Sequence, residues 1–383
     1  MAKPIYNLAR GEAELTDQLR PPFSFRDVTA RVFPLSADMG RLAEYCDAYL
    51  NFVPPEVAQF RPAVPYVYLV VAYYGQMRST KLHGGWIAQR ELAFLLPLQW
   101  YRAEGGRMVF VDWAWTCPYI FVDDDISLMT GRQVYGWAKL PASITEPNPP
   151  GHAASENSLW GSRPHRDSRL LTMRIAGLPL GIKDGHTDDK LLLTIDHESG
   201  PTFSLLPPAL VNPLKPLRDV LQTAQRAVST MRDWLDVLPG FASLGYRIIP
   251  DLQAINLITL KEIRDTTNPE EICYQALVNS HLKINKYLEG GLLGDVNPLR
   301  GDLTSGFRIN LYRSLGNADP IMNTLGLDAE DHQGNGYSAV TLKPFSPLWA
   351  QVELGYEKAH TLCWRAKDSG WYRGSTSDPL TRP

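Results

Sequence analysis

The chain has 383 residues, 44% hydrophobic and 21% charged, with a formal net charge of −3. That is an ordinary globular composition, long enough for two domains or for one large β domain with insertions. A near-neutral balance with no basic cluster excludes the electrostatic footprint of a nucleic-acid binder, and apolar runs such as 67–72 and 92–98 are too short to span a membrane.

The first twenty residues are polar and read as an arm ending at Pro21-Pro22, with no apolar stretch of the secretory kind. Ser36 is placed to cap a helix over about 38–50, with Leu42, Cys46 and Leu50, joined by Met39 and Tyr49, as its apolar stripe. Strands follow at 64–77 and 90–101, divided by a His83-Gly84-Gly85 turn, and a Glu104-Gly105-Gly106 turn leads into 108–122. Pro118 marks a bend or a break in that last run. Short connections of this kind predict antiparallel pairing. Residues 142–145 return to strand, 146–168 read as an exposed loop or insertion, and strands resume at 170–175 and 191–195.

Leu217, Val220, Leu221, Ala224, Val228, Met231 and Leu235 have helical spacing, which predicts a helix over about 216–238. Residues 256–262 read as strand. Asn268-Pro269-Glu270-Glu271 reads as a helix start, with the helix running to Tyr287. Strands at 307–312, 340–342 and 349–354 precede a frayed C-terminus. No internal repeat is visible. The predicted class is α+β with a dominant antiparallel sheet, read as one domain over 1–383. The loop near 146–168 and a helical segment near 205–240 are its insertions.

Cys46, Cys117, Cys273 and Cys363 form no C-x-x-C pair, which argues against a disulfide framework or structural zinc and fits a reducing cytoplasm. The histidines are dispersed, and there is no H-E-x-x-H, carboxylate triad or glycine-rich phosphate loop. Asp196-His197-Glu198 and Asp331-His332 are the tight acid–histidine neighbours. Adjacent strand residues face opposite ways, so these are assigned to turns or surface, and no metal is expected.

Lys139 is the feature with chemical content. It closes the run Gly131-Arg132-Gln133-Val134-Tyr135-Gly136-Trp137-Ala138-Lys139-Leu140-Pro141 and has no charged neighbour within six residues on either side. Such a lysine either snorkels to solvent from a strand end or is desolvated. Desolvation disfavours the charged form of an amine. From a reference pKa near ~10.4, a lowering by roughly 3–4 units makes the neutral nucleophile abundant at pH 7, at about 1.4 kcal/mol per unit.

The stretch from Ile120 to Pro141, with its Asp123-Asp124-Asp125 cluster followed by Gly131-Arg132-Gln133-x-x-Gly136-x-x-Lys139, resembles the signature region of the acetoacetate decarboxylase family. There an Asp-bearing strand end precedes Gly-Arg-Glu-x-x-Gly-x-Pro-Lys, and the lysine forms a Schiff base. Gln133, Ala138 and Leu140 stand where the family has Glu, Pro and, in the decarboxylases proper, a second lysine. Only the desolvation route to an active amine is therefore evident. The resemblance implies a β-barrel-like core with peripheral helices, a cavity holding the lysine, homo-oligomeric assembly, no metal or organic cofactor and a small oxo-acid substrate.

By the same resemblance, Glu91 matches a family glutamate on a strand upstream of a proline, here Pro97, and becomes the second catalytic group. It reads equally as a surface partner of Arg90 or Arg102. Arg132 either binds a substrate carboxylate or braces a turn against Asp123, Asp124 or Asp125. Trp137 and Phe121 are candidate apolar walls or plain core, and Tyr73 or Tyr74 a candidate hydroxyl. The family's arginine near 31–36 has Arg31 as its nearest counterpart. Schiff-base decarboxylation of a β-keto acid is the expected activity. The alternatives are aldolase, dehydratase or cyclase chemistry on the same lysine, and a non-catalytic barrel that binds a small molecule.

Overall fold

The computed structural model describes residues 21–80, 85–145, 173–177, 190–197, 255–292, 306–313, 318–334, 337–345 and 347–374. The predicted N-terminal arm, the His83-Gly84-Gly85 turn, the 146–168 loop, the 216–238 helix and the frayed C-terminus lie wholly or mostly outside the described residues. In chain order the elements are β1 (Phe23–Ser36), α1 (Met39–Tyr49), β2 (Gln59–Pro62), β3 (Tyr66–Ser79), β4 (Ile87–Glu104), β5 (Arg107–Val122) and α2 (Asp125–Thr130). A π-helical turn (Gly131–Tyr135) leads into β6 (Lys139–Thr145), β7 (Met173–Gly177), β8 (Lys190–His197), β9 (Ile255–Arg264), β10 (Ile272–Leu292) and β11 (Phe307–Tyr312). Last come α3 (Ala318–Leu325), β12 (Glu330–Gly334), β13 (Tyr337–Leu342), β14 (Leu348–Tyr356), β15 (His360–Ala366) and β16 (Tyr372–Arg373).

Strand dominates, as expected, and the pairing closes on itself. Following β5–β4–β3–β1–β14–β10–β9 leads back to β5, a seven-stranded barrel antiparallel at every step except the β5–β9 closure. A second run, β6–β7–β8–β11–β13–β12, leaves the same strand β5. One edge of β5 therefore serves two partners. Ala114–Thr116 pair in parallel with Asn256–Ile258, and Ile120–Val122 pair in parallel with Lys139–Pro141. Between them lies Pro118, at an irregularity in the β4–β5 register, where a residue without an N–H costs no ladder bond. β5 is thus one long strand with a bulge.

Alternation assigns the two faces. On β3 and β4 the residues Leu69, Val71, Leu92, Phe94, Leu96 and Leu98 point outward into the main core, with the second run, α1 and α3. The intervening residues point inward, where Phe23, Phe25, Val28, Met77, Ala93, Cys117 and Ile120 form a separate apolar cluster. β1 keeps its parity only through a bulge at Asp27, which takes φ 53. Among the described residues no helix is long and apolar enough to cross a membrane.

Three readings need correction. Ser36 ends β1; the cap of α1 is Asp38, which accepts from the Arg41 N–H at 2.8 Å. Leu42 and Cys46 are buried on the helix as expected, but Met39 and Tyr49 are exposed and Tyr45 takes their place. The predicted helix from Asn268 to Tyr287 is strand β10. The same residue types build the β9–β10 turn: the Glu271 N–H bonds the Asn268 carbonyl, and Asn268 Nδ2 donates to Glu271 Oε1, both at 2.9 Å. His197 and His332 lie in strands β8 and β12, and Asp331 is at the surface as expected, paired there with Arg313.

Candidate active site

The segment that carries Lys139 is built to hold it. Asp124 caps α2 by accepting from the Ser127 N–H at 2.7 Å, which turns Ser127 and Thr130 toward the barrel interior. The helix widens into the π-turn, a geometry often found at functional sites. Gly136 ends it in the left-handed conformation, φ 75. A side chain there would also meet the backbone of Lys261, 2.7 Å away, so only glycine lets the turn lie against β9. Thr259 ties the turn down by donating to the Tyr135 carbonyl. β6 then begins at Lys139, opposite Ile120, at the seam where the edge of β5 leaves the barrel.

The Lys139 side chain runs past Gly131 into the barrel, and the residue is only 7% exposed. Its Nζ donates to Ser127 Oγ at 2.8 Å and to Glu91 Oε2 at 3.1 Å. Glu91 in turn accepts from the Tyr74 hydroxyl at 3.1 Å through Oε1. Burial first, and then the Glu91 charge, push the Tyr74 phenol well above its ordinary range, so it stays a proton-bearing donor. A cavity of about 310 Å³ opens beside the amine, walled mainly by apolar side chains of β1, β3, β4, β10 and β14. Its far wall includes Tyr356, whose hydroxyl accepts from Trp137 Nε1 at 2.9 Å and lies 2.6 Å from Ser280 Oγ. Cys117 also lines the cavity, and burial followed by the Glu91 charge raises its thiol well above the ordinary range.

The sequence candidates separate cleanly. Lys139, Glu91 and Trp137 face the cavity. Glu91 is not a surface partner: Arg90 pairs with Asp123 at 3.2 Å, and Arg102 pairs with Glu104. Arg132 lies outside the cavity lining and donates from Nε to the Lys139 carbonyl at 2.7 Å, bracing the start of β6. Of its expected partners, Asp123 is paired with Arg90 and Asp124 caps α2. Phe121 follows Ile120 on β5 and so points outward into the main core. Tyr73 likewise points away, with its ring 5.8 Å from the Arg90 guanidinium; Tyr74 is the tyrosine of the site. Arg31 is buried between the inward-facing Ala30 and Val32, on the opposite face from the cavity. Ser127 and Gln89 were not anticipated. Alternation from Glu91 would have flagged Gln89, whereas nothing local marked Ser127.

The arrangement defines an enclosed β-barrel site in which a buried primary amine is paired with a carboxylate. Among the described residues no cluster of three or more His, Cys, Asp or Glu side chains is placed to hold a metal. No family model and no curated protein matches the sequence. Similar solved structures include an acetoacetate decarboxylase from Legionella pneumophila, at 11% identity and TM-score 0.45, covering 89% of this chain and 87% of that one. Another is the enduracididine biosynthesis enzyme MppR with HEPES buffer bound, at 13% identity and TM-score 0.47, covering 94% and 92%. A third is an acetoacetate decarboxylase-like enzyme from Sphingomonas wittichii, at 12% identity and TM-score 0.44, covering 94% and 99%. At such low identity and TM-score the likeness carries no argument about the site, whose chemistry rests on this chain's own residues.

Proposed function

We propose that the protein is a Schiff-base-forming carbon–carbon lyase that decarboxylates a β-keto acid. The observation that carries this reading is the Lys139 amine, buried in an apolar cavity and in hydrogen-bond contact with Glu91 and Ser127. A proton passing from Nζ to Glu91 Oε2 frees the amine without carrying charge out of the site. The amine then attacks the ketone carbon. Glu91 returns the proton to the carbinolamine oxygen, which leaves as water, and the resulting iminium accepts the electron pair released as the carboxylate departs as carbon dioxide. Glu91, left ionised by that step, takes up a proton from solvent and delivers it to the enamine carbon, and hydrolysis of the iminium by water releases the product ketone and restores the amine.

Among the described residues lining the cavity, Lys139 is the sole cation. A substrate carboxylate therefore sits in apolar surroundings, and losing it as neutral carbon dioxide relieves its desolvation. The same observation favours a second reading, in which the substrate has no carboxylate and the iminium drives cleavage of a β-hydroxy ketone. At about 30 Å³ per non-hydrogen atom, taking the share of a water molecule in the liquid, the cavity holds roughly ten such atoms. That is more than acetoacetate needs.

Borohydride trapping with a panel of β-keto and α-oxo acids, read by intact mass and peptide mapping, tests the proposal. A reduced adduct at Lys139, absent from Lys139→Ala, is the expected result, and its mass reports whether carbon dioxide has left. No adduct across the panel would reduce the site to a small-molecule binding pocket.

A further inference from the structure

The register of the barrel strands puts Glu91, Ala72, Ala30 and Ala350 side by side on β4, β3, β1 and β14, all facing inward. The row on one side carries the larger Gln89, Tyr74, Val28 and Val352. On the other side the row carries Val70 and Val32. Three successive alanines at the level of Glu91 therefore open the wall of the barrel beside the amine. Small residues alone only make room.

Gln89 supplies the second observation. It lines the same cavity, is only 4% exposed, and its Oε1 has no hydrogen-bond partner among the described residues. A buried amide oxygen left unpaired is costly, and native cores rarely keep one without a reason. The neighbouring hydroxyl, that of Tyr74, is already committed to Glu91. Gln89 and Glu91 lie two residues apart on one strand, so the amide sits about 6–7 Å along the wall from the carboxylate. That spacing corresponds to roughly five bonds of an extended carbon chain, each advancing about 1.25 Å.

We propose that the substrate is an oxo compound whose apolar chain lies over Ala30, Ala72 and Ala350 and carries a hydroxyl group held by Gln89, which makes Gln89 a specificity-determining residue. A hydroxyl satisfies the amide in either orientation of its oxygen and nitrogen. The inference rests on the reading of Lys139 as the amine that takes the carbonyl.

The test compares reductive trapping of 7-hydroxyheptan-2-one and heptan-2-one by the wild type, Gln89→Met and Ala72→Leu. Each rate is divided by the same protein's rate with acetone, which is too short to reach Gln89. In the wild type the hydroxy ketone half-saturates at a concentration at least tenfold lower than its parent. In Gln89→Met that ratio falls to within twofold of one, and in Ala72→Leu both long ketones lose at least tenfold relative to acetone. A tenfold ratio retained in Gln89→Met, or no preference in the wild type, overturns the proposal. If no ketone is trapped, the Lys139 reading fails, and the same pair is compared by calorimetric binding. Tighter binding of the hydroxy ketone to the wild type alone then upholds the role of Gln89, and equal binding overturns it.

Discussion

Gly131→Ala isolates the placement of the Lys139 amine from every other property of the site. An added Cβ would lie 2.6 Å from Lys139 Cδ and 2.7 Å from Cε. Carbon atoms in contact rest at about 3.5–4.0 Å, so the stem must retreat by about 1 Å. The backbone does not resist alanine, because Gly131 is right-handed helical at φ −58 and ψ −47. The lysine has no free direction in which to yield. Its Cα is fixed opposite Ile120, and its Nζ is held between Ser127 and Glu91. The displacement therefore passes to Nζ, and a misplacement of about 1 Å costs on the order of 100-fold in rate. Overpacking costs roughly 1–3 kcal/mol, offset by about 1 kcal/mol of helix propensity gained over glycine. The expected outcome is about a 100-fold slower borohydride trapping at Lys139, with the melting temperature lowered by only a few degrees. Trapping within threefold of the wild type would refute the claim that Gly131 exists to seat the lysine.

Four further outcomes are expected from the same geometry. Glu91→Gln keeps the size of the side chain and removes the proton acceptor, so single-turnover trapping should slow by roughly 10²–10⁴-fold; a loss under tenfold would make Glu91 a spacer. Gly136→Ala forces a left-handed alanine against the Lys261 backbone and should cost more than about 2 kcal/mol in urea unfolding, well beyond the effect of Gly131→Ala. Cys117, with its thiol raised by burial and by Glu91, should resist iodoacetamide at pH 8 in the folded protein and react once unfolded in urea. Asp265, hydrogen-bonded by Lys367, is lowered from 3.8 to about 2, so its stabilisation is complete above about 4 and is lost as pH falls toward 2. Asp265→Asn should remove that part of the acid-induced loss, read as the urea midpoint between pH 4 and 2.

What was legible in the sequence was what is local. The nine residues from Gly131 to Lys139 form one continuous turn and strand start, so their spacing alone points to an amine set apart from other charges. Glu91 stood out through the resemblance, as a glutamate on a strand upstream of Pro97, and the residues alone left a surface pairing equally open. Tyr73 and Phe121 each missed by a single residue. In a barrel wrapped by a second sheet both faces of β3, β4 and β5 are apolar, so hydrophobicity carries no parity signal along them. The parity is set by bulges at Asp27 and Pro118 and by cross-strand register, which are properties of pairing.

β10 shows the same limit from the other side. Asn268-Pro269-Glu270-Glu271 satisfies the rules for starting a helix, yet those rules describe only how polar side chains meet free backbone groups. A hairpin turn offers the same free groups, and Asn268 and Glu271 answer them there. The choice between helix and strand was made by the residues beyond the turn. Ser280, Leu282 and Ile284 share one side of the strand, bonded to Tyr356 or lining the cavity. As a helix, residues 272–287 would turn Leu282 to the face opposite Ser280 and Ile284 and leave the barrel open between β14 and β9. The strand exists because the closed barrel needs it, and the closed barrel is what takes Lys139 out of water.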